Sequence, residues 1–287
     1  MDKSAGPLRH VTLIVADLTR MQTAYAALGL VPCARWQISA ARATAWGQPQ
    51  LAGLPVLELG PAAKGPSLLR CIEVQGAPVR PTRLSHGWMA LEILVQDVDA
   101  LAAQLARLAQ LAPSAFTVVG AAADLELSPN IRAMQLIGPA GEMLYLTQVK
   151  APVPPFEVPL STPWPYKAAL GPLFIAVMST PSRAAVLQAC AQLLPKAQLQ
   201  FETKVTVLNR ALGRPVDQRW PVATLQFAGE SLFEIDEVID AQVTTPASGE
   251  LPSGLAWISM DACGQNPAAA VFEVSPGAWV EGLPAAP

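Results

Sequence analysis

Hydrophobic spacing along the first half of the chain alternates twice between the strand and helix periods. His10–Ala16 (HVTLIVA) is rich in β-branched residues and reads as a strand. Asp17 follows where a helix cap belongs. Leu18, Met21, Tyr25 and Leu28 recur at three-and-four spacing, which predicts a helix over 18–28 closed by Gly29. Three strand segments come next, at 34–38, at 43–46 or 55–59, and at 68–74, the last after a turn at Lys64-Gly65-Pro66. Beyond Pro78 and Pro81 the same order restarts. Trp88–Val95 predicts a strand, and Asp97 or Asp99 can cap a helix whose Val98, Leu101, Leu105, Leu108 and Leu111 share one face. Strands are expected near 116–119, 131–137 and 143–149, with Gly138-Pro139-Ala140-Gly141 turning between the last two. One supersecondary unit is used twice.

The stretch from Ala151 to Pro165 holds six prolines, at 152, 154, 155, 159, 163 and 165, and reads as an extended linker. A third unit opens at 173–179. Its helix starts with Pro181 at an early position and runs to Leu194, followed by strands near 199–208, 222–227 and 232–238. A fourth opens at 255–260, lacks the helix, and keeps only short segments near 270–274 and 279–281. The expected class is α+β, with paired βαβββ modules forming two domains and the fourth module shortened. The expected boundaries are 1–150, a Pro-rich linker over 151–170, and 171–287.

Composition narrows the partners. Hydrophobic residues make up 52% and charged residues 14%, enough for a large core, and the net charge of −3 comes without a block of Lys or Arg. Nucleic acid is therefore not an expected partner, nor is an anionic membrane surface. Mean hydropathy is +0.33, yet no window offers the roughly 18 uninterrupted apolar residues of a spanning helix. The N-terminus, with Asp2, Lys3, Arg9 and Asp17, does not read as a secretory signal. Cys33, Cys71, Cys190 and Cys263 form no CxxC pair and read as free thiols, so a cytoplasmic location is expected.

Three segments carry a family resemblance. His10–Asp17 and Ala90–Asp99 resemble the opening strands of the vicinal oxygen chelate superfamily, which includes glyoxalases, bleomycin-resistance proteins and extradiol dioxygenases. Gly138–Leu146 (GPAGEMLYL) resembles its closing turn and strand. The resemblance implies glyoxalase-like domains and, in metal-dependent members, ligands from the first and last strands of each unit. His10 stands at the first such position. The matching places hold Trp88 and Tyr145, which are poor ligands for Fe²⁺, Zn²⁺ or Mn²⁺, so no metal cofactor is expected. The alternative cofactor is a divalent metal such as Fe or Zn, and the alternative enzyme an Fe(II)-dependent extradiol-type dioxygenase using His10, His86 and a carboxylate, Glu92 or Glu142. Glu234 and Glu281 fall at or near the closing-strand carboxylate places of the second half.

The expected site combines His10 and Tyr145 as catalytic groups with Trp88, Arg132, Asn130, His86 and Glu92 as ligand-binding groups in a first-domain cavity. His10 titrates near working pH, Tyr145 can donate to a carbonyl, and Arg132 can clamp a carboxylate. The expected function is binding of a small apolar, carbonyl-containing or aromatic molecule. Metal-independent lyase or isomerase chemistry would go with it, or, alternatively, non-catalytic binding of the resistance type. A homodimer is left open. Walker A, GxSxG and HExxH patterns do not occur.

Overall fold

The computed structural model describes residues 4–63, 65–111, 113–126, 128–164, 167–262 and 271–284. The first unit comprises β1 (Leu8–Val15), α1 (Leu18–Ala26), β2 (Val31–Gln37), α2 (Ala40–Ala45), β3 (Pro55–Gly60) and β4 (Leu69–Glu73). The second comprises β5 (Gly87–Val95), α3 (Val98–Leu111), β6 (Thr117–Leu125), β7 (Ser128–Ile137) and β8 (Met143–Val149). The third comprises β9 (Leu170–Thr180), α4 (Arg183–Cys190), β10 (Ala197–Lys204), α5 (Thr206–Ala211), β11 (Arg219–Phe227) and β12 (Ser231–Glu237). The fourth keeps β13 (Gly254–Asp261), β14 (Val271–Ser275) and β15 (Ala278–Leu283). Cys33, Cys71 and Cys190 are free thiols, while Cys263, Lys64 and Pro165 lie outside the described residues.

Local chemistry sets the helix starts. Asp17, Asp97 and Ser182 each accept a hydrogen bond from the backbone N–H three residues on, at 2.9, 2.9 and 3.3 Å. Pro181 stands before the Ser182 cap rather than inside the helix. The alternative strand at 43–46 is helical instead, because Ser39 caps α2 through the Arg42 amide. The single strand expected over 199–208 ends at Lys204 and turns into α5. Gly29 follows α1 at φ +81°, and a Cβ there would stand 2.8 Å from the Ala168 backbone, so glycine is required on both counts.

In every unit the opening strand runs parallel to the closing one, β1 with β4, β5 with β8, β9 with β12 and β13 with β15. The units then pair in a way that chain order does not suggest. One sheet has the order β14-β15-β13-β1-β4-β3-β2, and the other β10-β11-β12-β9-β5-β8-β7-β6. The first sheet therefore joins units one and four, and the second joins units two and three, through antiparallel β1–β13 and β5–β9 seams. A division into residues 1–150 and 171–287 does not follow these sheets. Within that stretch, residues 151–164 are packed against the second sheet rather than free. Ser161 Oγ donates to the Val95 carbonyl at 2.7 Å, and Val153, Val158 and Trp164 cover Leu94, Val149 and Phe174.

The helices α1, α3 and α4 lie in one apolar core shared by both sheets. Leu18, Met21 and Tyr25 of α1, Leu101 and Leu105 of α3, and Val186 of α4 meet Leu13, Leu91 and Phe233 there. Each sheet thus has a helix-covered inner face and an outer face pointing away from the other sheet. Each outer face is roofed by the chain's own loop. Residues 38–54, with Ile38, Ala43, Trp46 and Leu51, cover the first sheet, and α5 with Val207, Leu208 and Leu212 covers the second. No helix among the described residues is long and apolar enough to cross a membrane.

Candidate functional site

Strand alternation delivers the polar side chains to the outer faces. On the first sheet, β1 presents His10 and Thr12 while Val11 and Leu13 enter the core. On β4, β13 and β15 the outward residues are Arg70, Ser259 and Glu281. His10 pairs in register with Ser259, Ser259 with Glu281, and Thr12 with Arg70 and Trp257. Glu281 is the centre. It accepts from Arg70 Nη1 at 2.7 Å and Ser259 Oγ at 2.5 Å on one oxygen, and from Trp46 Nε1 at 2.9 Å on the other. Arg70 also faces Glu58 at 3.4 Å, and its guanidinium lies 5.3 Å from the Trp46 ring centroid.

Electrostatics follow from this packing. Burial raises the Glu281 carboxyl, but Arg70 and the Ser259 hydroxyl outweigh it and hold the group below its ordinary value, ionised. Burial and the neighbouring Arg70 charge push His10 down to about 3, so its imidazole is neutral. Its Nε2 stands 3.8 Å from Glu281, beyond hydrogen-bond reach, and has no partner. Thr12 Oγ1 and Trp257 Nε1 are buried and have none either, and the Trp257 ring packs against Trp46 of the 38–54 segment at 5.3 Å. A surface groove of 270 Å³ opens on His10 between Arg9, Ser67, Asp261 and Leu283. Arg9 and Asp261 form a bidentate pair on its rim.

The second sheet's outer face carries a different set. Glu92 accepts from Thr147 Oγ1 at 2.7 Å and is pushed up to about 8, chiefly by burial. Burial also lifts Glu234 to about 7 and raises Asp236. Tyr145 lies among these acids, and its hydroxyl, Ser179 Oγ and both Asp236 oxygens are buried without partners. Asn209 holds the roof down by accepting from Trp220 Nε1 at 2.6 Å and donating to Gln218 O at 2.8 Å.

The structure distributes the expected site residues over five places. His10 is on the first sheet; Tyr145 and Glu92 share the outer face of the second. Trp88 is turned into the core, edge-on to Phe233 at 5.0 Å, with its indole N–H donating to the Trp279 carbonyl. Arg132 sits on the surface, clamped on Asp99 at 2.8 and 2.9 Å and on Asp124 at 3.3 Å. Asn130 is near it and donates to Pro152 O. His86 is held through both ring nitrogens, by Thr245 Oγ1 at 2.8 Å and Val238 O at 2.9 Å. The expected single wall of His10, Trp88, Arg132 and Tyr145 does not form. Nor does a facial triad of His10 and His86 with Glu92 or Glu142. Glu142 is committed inside the core to Tyr25 Oη at 2.7 Å and the Ala140 amide at 2.8 Å.

The residues in the metal-ligand places do not fit a divalent ion. Glu281 has both oxygens occupied, and a guanidinium already stands against it. At ~4 Å and an effective dielectric constant of ~20, a divalent ion would meet about 8 kcal/mol of repulsion from that one charge. Among the described residues no three His, Cys, Asp or Glu side chains converge to hold a metal.

Three βαβββ units and a shortened fourth, in two sheets of paired opening strands, define an α+β protein. Glyoxalase I from Zea mays is similar in structure, with a TM-score of 0.55 at 13% identity over 96% of this chain and 92% of that one. A point mutant of the same enzyme gives 0.56, also at 13% identity and the same shares of each chain. A putative dioxygenase from Bacillus subtilis gives 0.54 at 13%, over 91% and 71%. The chain has the vicinal oxygen chelate fold in its two-domain form. No protein-family model matches the sequence, and no curated protein does.

Proposed function

We propose that this protein binds a small carbonyl-containing or aromatic molecule on the outer face of the first sheet, without a metal ion. The observation that carries the reading is the row of three unpartnered buried atoms, His10 Nε2, Thr12 Oγ1 and Trp257 Nε1. An indole N–H can only donate and a threonine hydroxyl donates readily, so the complement is an acceptor oxygen. The aromatic pair of Trp36 on β2 and Trp46 in the roof, with ring centroids 6.3 Å apart, suits a planar ligand. Entry runs through the groove at His10. Because Trp257 is covered by 38–54, a ligand reaching it displaces that segment. Binding fits better than acid–base chemistry, since an imidazole titrating near 3 is a weak base at neutral pH.

The test is native mass spectrometry for a co-purified molecule, with aromatic aldehydes and 2-oxo acids as supplied probes. Affinities are then measured in Thr12→Val and His10→Ala. Each loses one neutral hydrogen bond of about 0.5–1.5 kcal/mol, a roughly 2- to 12-fold weakening. Unchanged affinity in both folded variants removes this site from consideration. Conversion of the bound molecule that depends on His10 would replace binding by the lyase or isomerase reading.

A further inference from the structure

The first-sheet site places a positive charge where its donors converge, and that charge belongs to the protein. Arg70 is 6% exposed, lies on a closing strand, and is flanked by Glu281, Glu58 and, through Glu281, His10 and Ser259. Opening and closing strands of units one and four supply all of these except Glu58, which comes from neighbouring β3. We propose that Arg70 is the resident cation of this site, standing in for a divalent ion among His10, Glu58, Ser259 and Glu281 and making the site independent of metal.

Three features of the surroundings agree. A guanidinium keeps its charge in a buried setting where a lysine or histidine would give up its proton. Its planar fork can serve two carboxylates at once, and here it reaches both Glu281 and Glu58. It also needs no open coordination position, so the roof can close directly on the site. Trp46 does so, donating to the carboxylate that Arg70 neutralises and packing its ring near the guanidinium. The inference concerns the charge of the site and does not rest on which organic ligand binds there.

The experiment titrates the chelator-treated full-length protein with Zn²⁺ and Co²⁺. It is read by calorimetry, by Co²⁺ absorption and by melting temperature. Wild type should show no stoichiometric uptake and no rise in melting temperature. Arg70→Ala, freed of the guanidinium, should take up roughly one equivalent at least ~100-fold more tightly and regain melting temperature as it does so. Adding Glu281→Gln to that variant should abolish the gain. Should Arg70→Ala unfold alone, Arg70→His supplies a further imidazole, and its folding should become Zn²⁺-dependent. The proposal is overturned if wild type binds one equivalent as tightly as the variants do. It is equally overturned if the variants gain no binding, or stay unfolded in saturating Zn²⁺. A small-molecule result in the preceding test leaves these outcomes untouched, whereas stoichiometric Zn²⁺ in wild type would remove the metal independence of the proposed binding but not the binding itself.

Discussion

A carboxyl group that must stay protonated to be buried leaves a measurable trace in the pH dependence of stability. Glu92 titrates at about 8 in the folded chain against an ordinary 4.5, with burial as the main cause and Glu234 adding to it. Between those values the unfolded chain has released the proton and the folded one has kept it. Stability therefore falls as pH rises from ~4.5, and the loss levels off above ~8. Glu234 and Asp236 act with the same sign. Glu92→Gln keeps an acceptor for Thr147 and cannot ionise. Urea denaturation should find it close to wild type near pH 4 and more stable by a few kcal/mol near pH 9. A gap that does not change with pH would show that Glu92 is not protonated in its site. His10 acts oppositely, its depressed value costing stability as pH falls from about 6.5 towards about 3. These environments are only partly legible in the sequence. Period-two alternation places His10 and Glu92 on outer faces, but counting back from Glu92 puts Trp88 beside it. A register shift between Trp88 and Ala90 turns the indole into the core instead. Arg132 reads as a ligand clamp only until α3 brings Asp99 against it.

At the level of elements, the informative pieces are the two roofs, and both depart from the sequence pattern for the same reason. Residues 43–46 and 205–208 are four-residue, mostly apolar segments, each interrupted by one threonine, and periodicity alone does not separate a buried strand from a buried helical turn at that length. The Ser39 cap decides the first case and the end of β10 at Lys204 the second. The longer elements, α1, α3 and the opening strands, are legible because their patterns extend over two or more turns or alternations. The first roof should open as a unit, since its strongest tie to the sheet is Trp46 Nε1 on Glu281. Trp46→Phe removes that charge-assisted bond, worth about 1.5–3 kcal/mol. Hydrogen exchange should then quicken roughly 10- to 100-fold for amides of 40–51, where local opening governs exchange, with β1 and β13 unchanged. Equal acceleration across β1, β13 and the roof would mean that the segment opens only with the sheet.

For the whole molecule, the pairing of unit one with four and two with three decides how the chain can be divided. Chain order and the proline-rich stretch both suggest a cut near residue 150, and nothing local in the sequence says otherwise, because β1 reads the same whichever strand lies beside it. The consequence is severe for a fragment cut there. Residues 1–150 would lose β13 from the edge of β1 and β9 from the edge of β5, leaving two long apolar strands with unpaired backbone. Val11, Leu13, Leu91 and Ile93 would also lose core partners such as Ile258, Phe233 and Ala176. Glu281 would be absent, leaving Arg70 without its nearer carboxylate. The 1–150 fragment should therefore self-associate or precipitate. Residues 151–287 supplied in trans should restore a one-to-one complex with the melting behaviour of the intact chain. Analytical ultracentrifugation of each fragment and of the mixture distinguishes these states. A cooperatively folded, monomeric 1–150 would mean that the first two units form a domain by themselves, and that the β1–β13 and β5–β9 seams are dispensable.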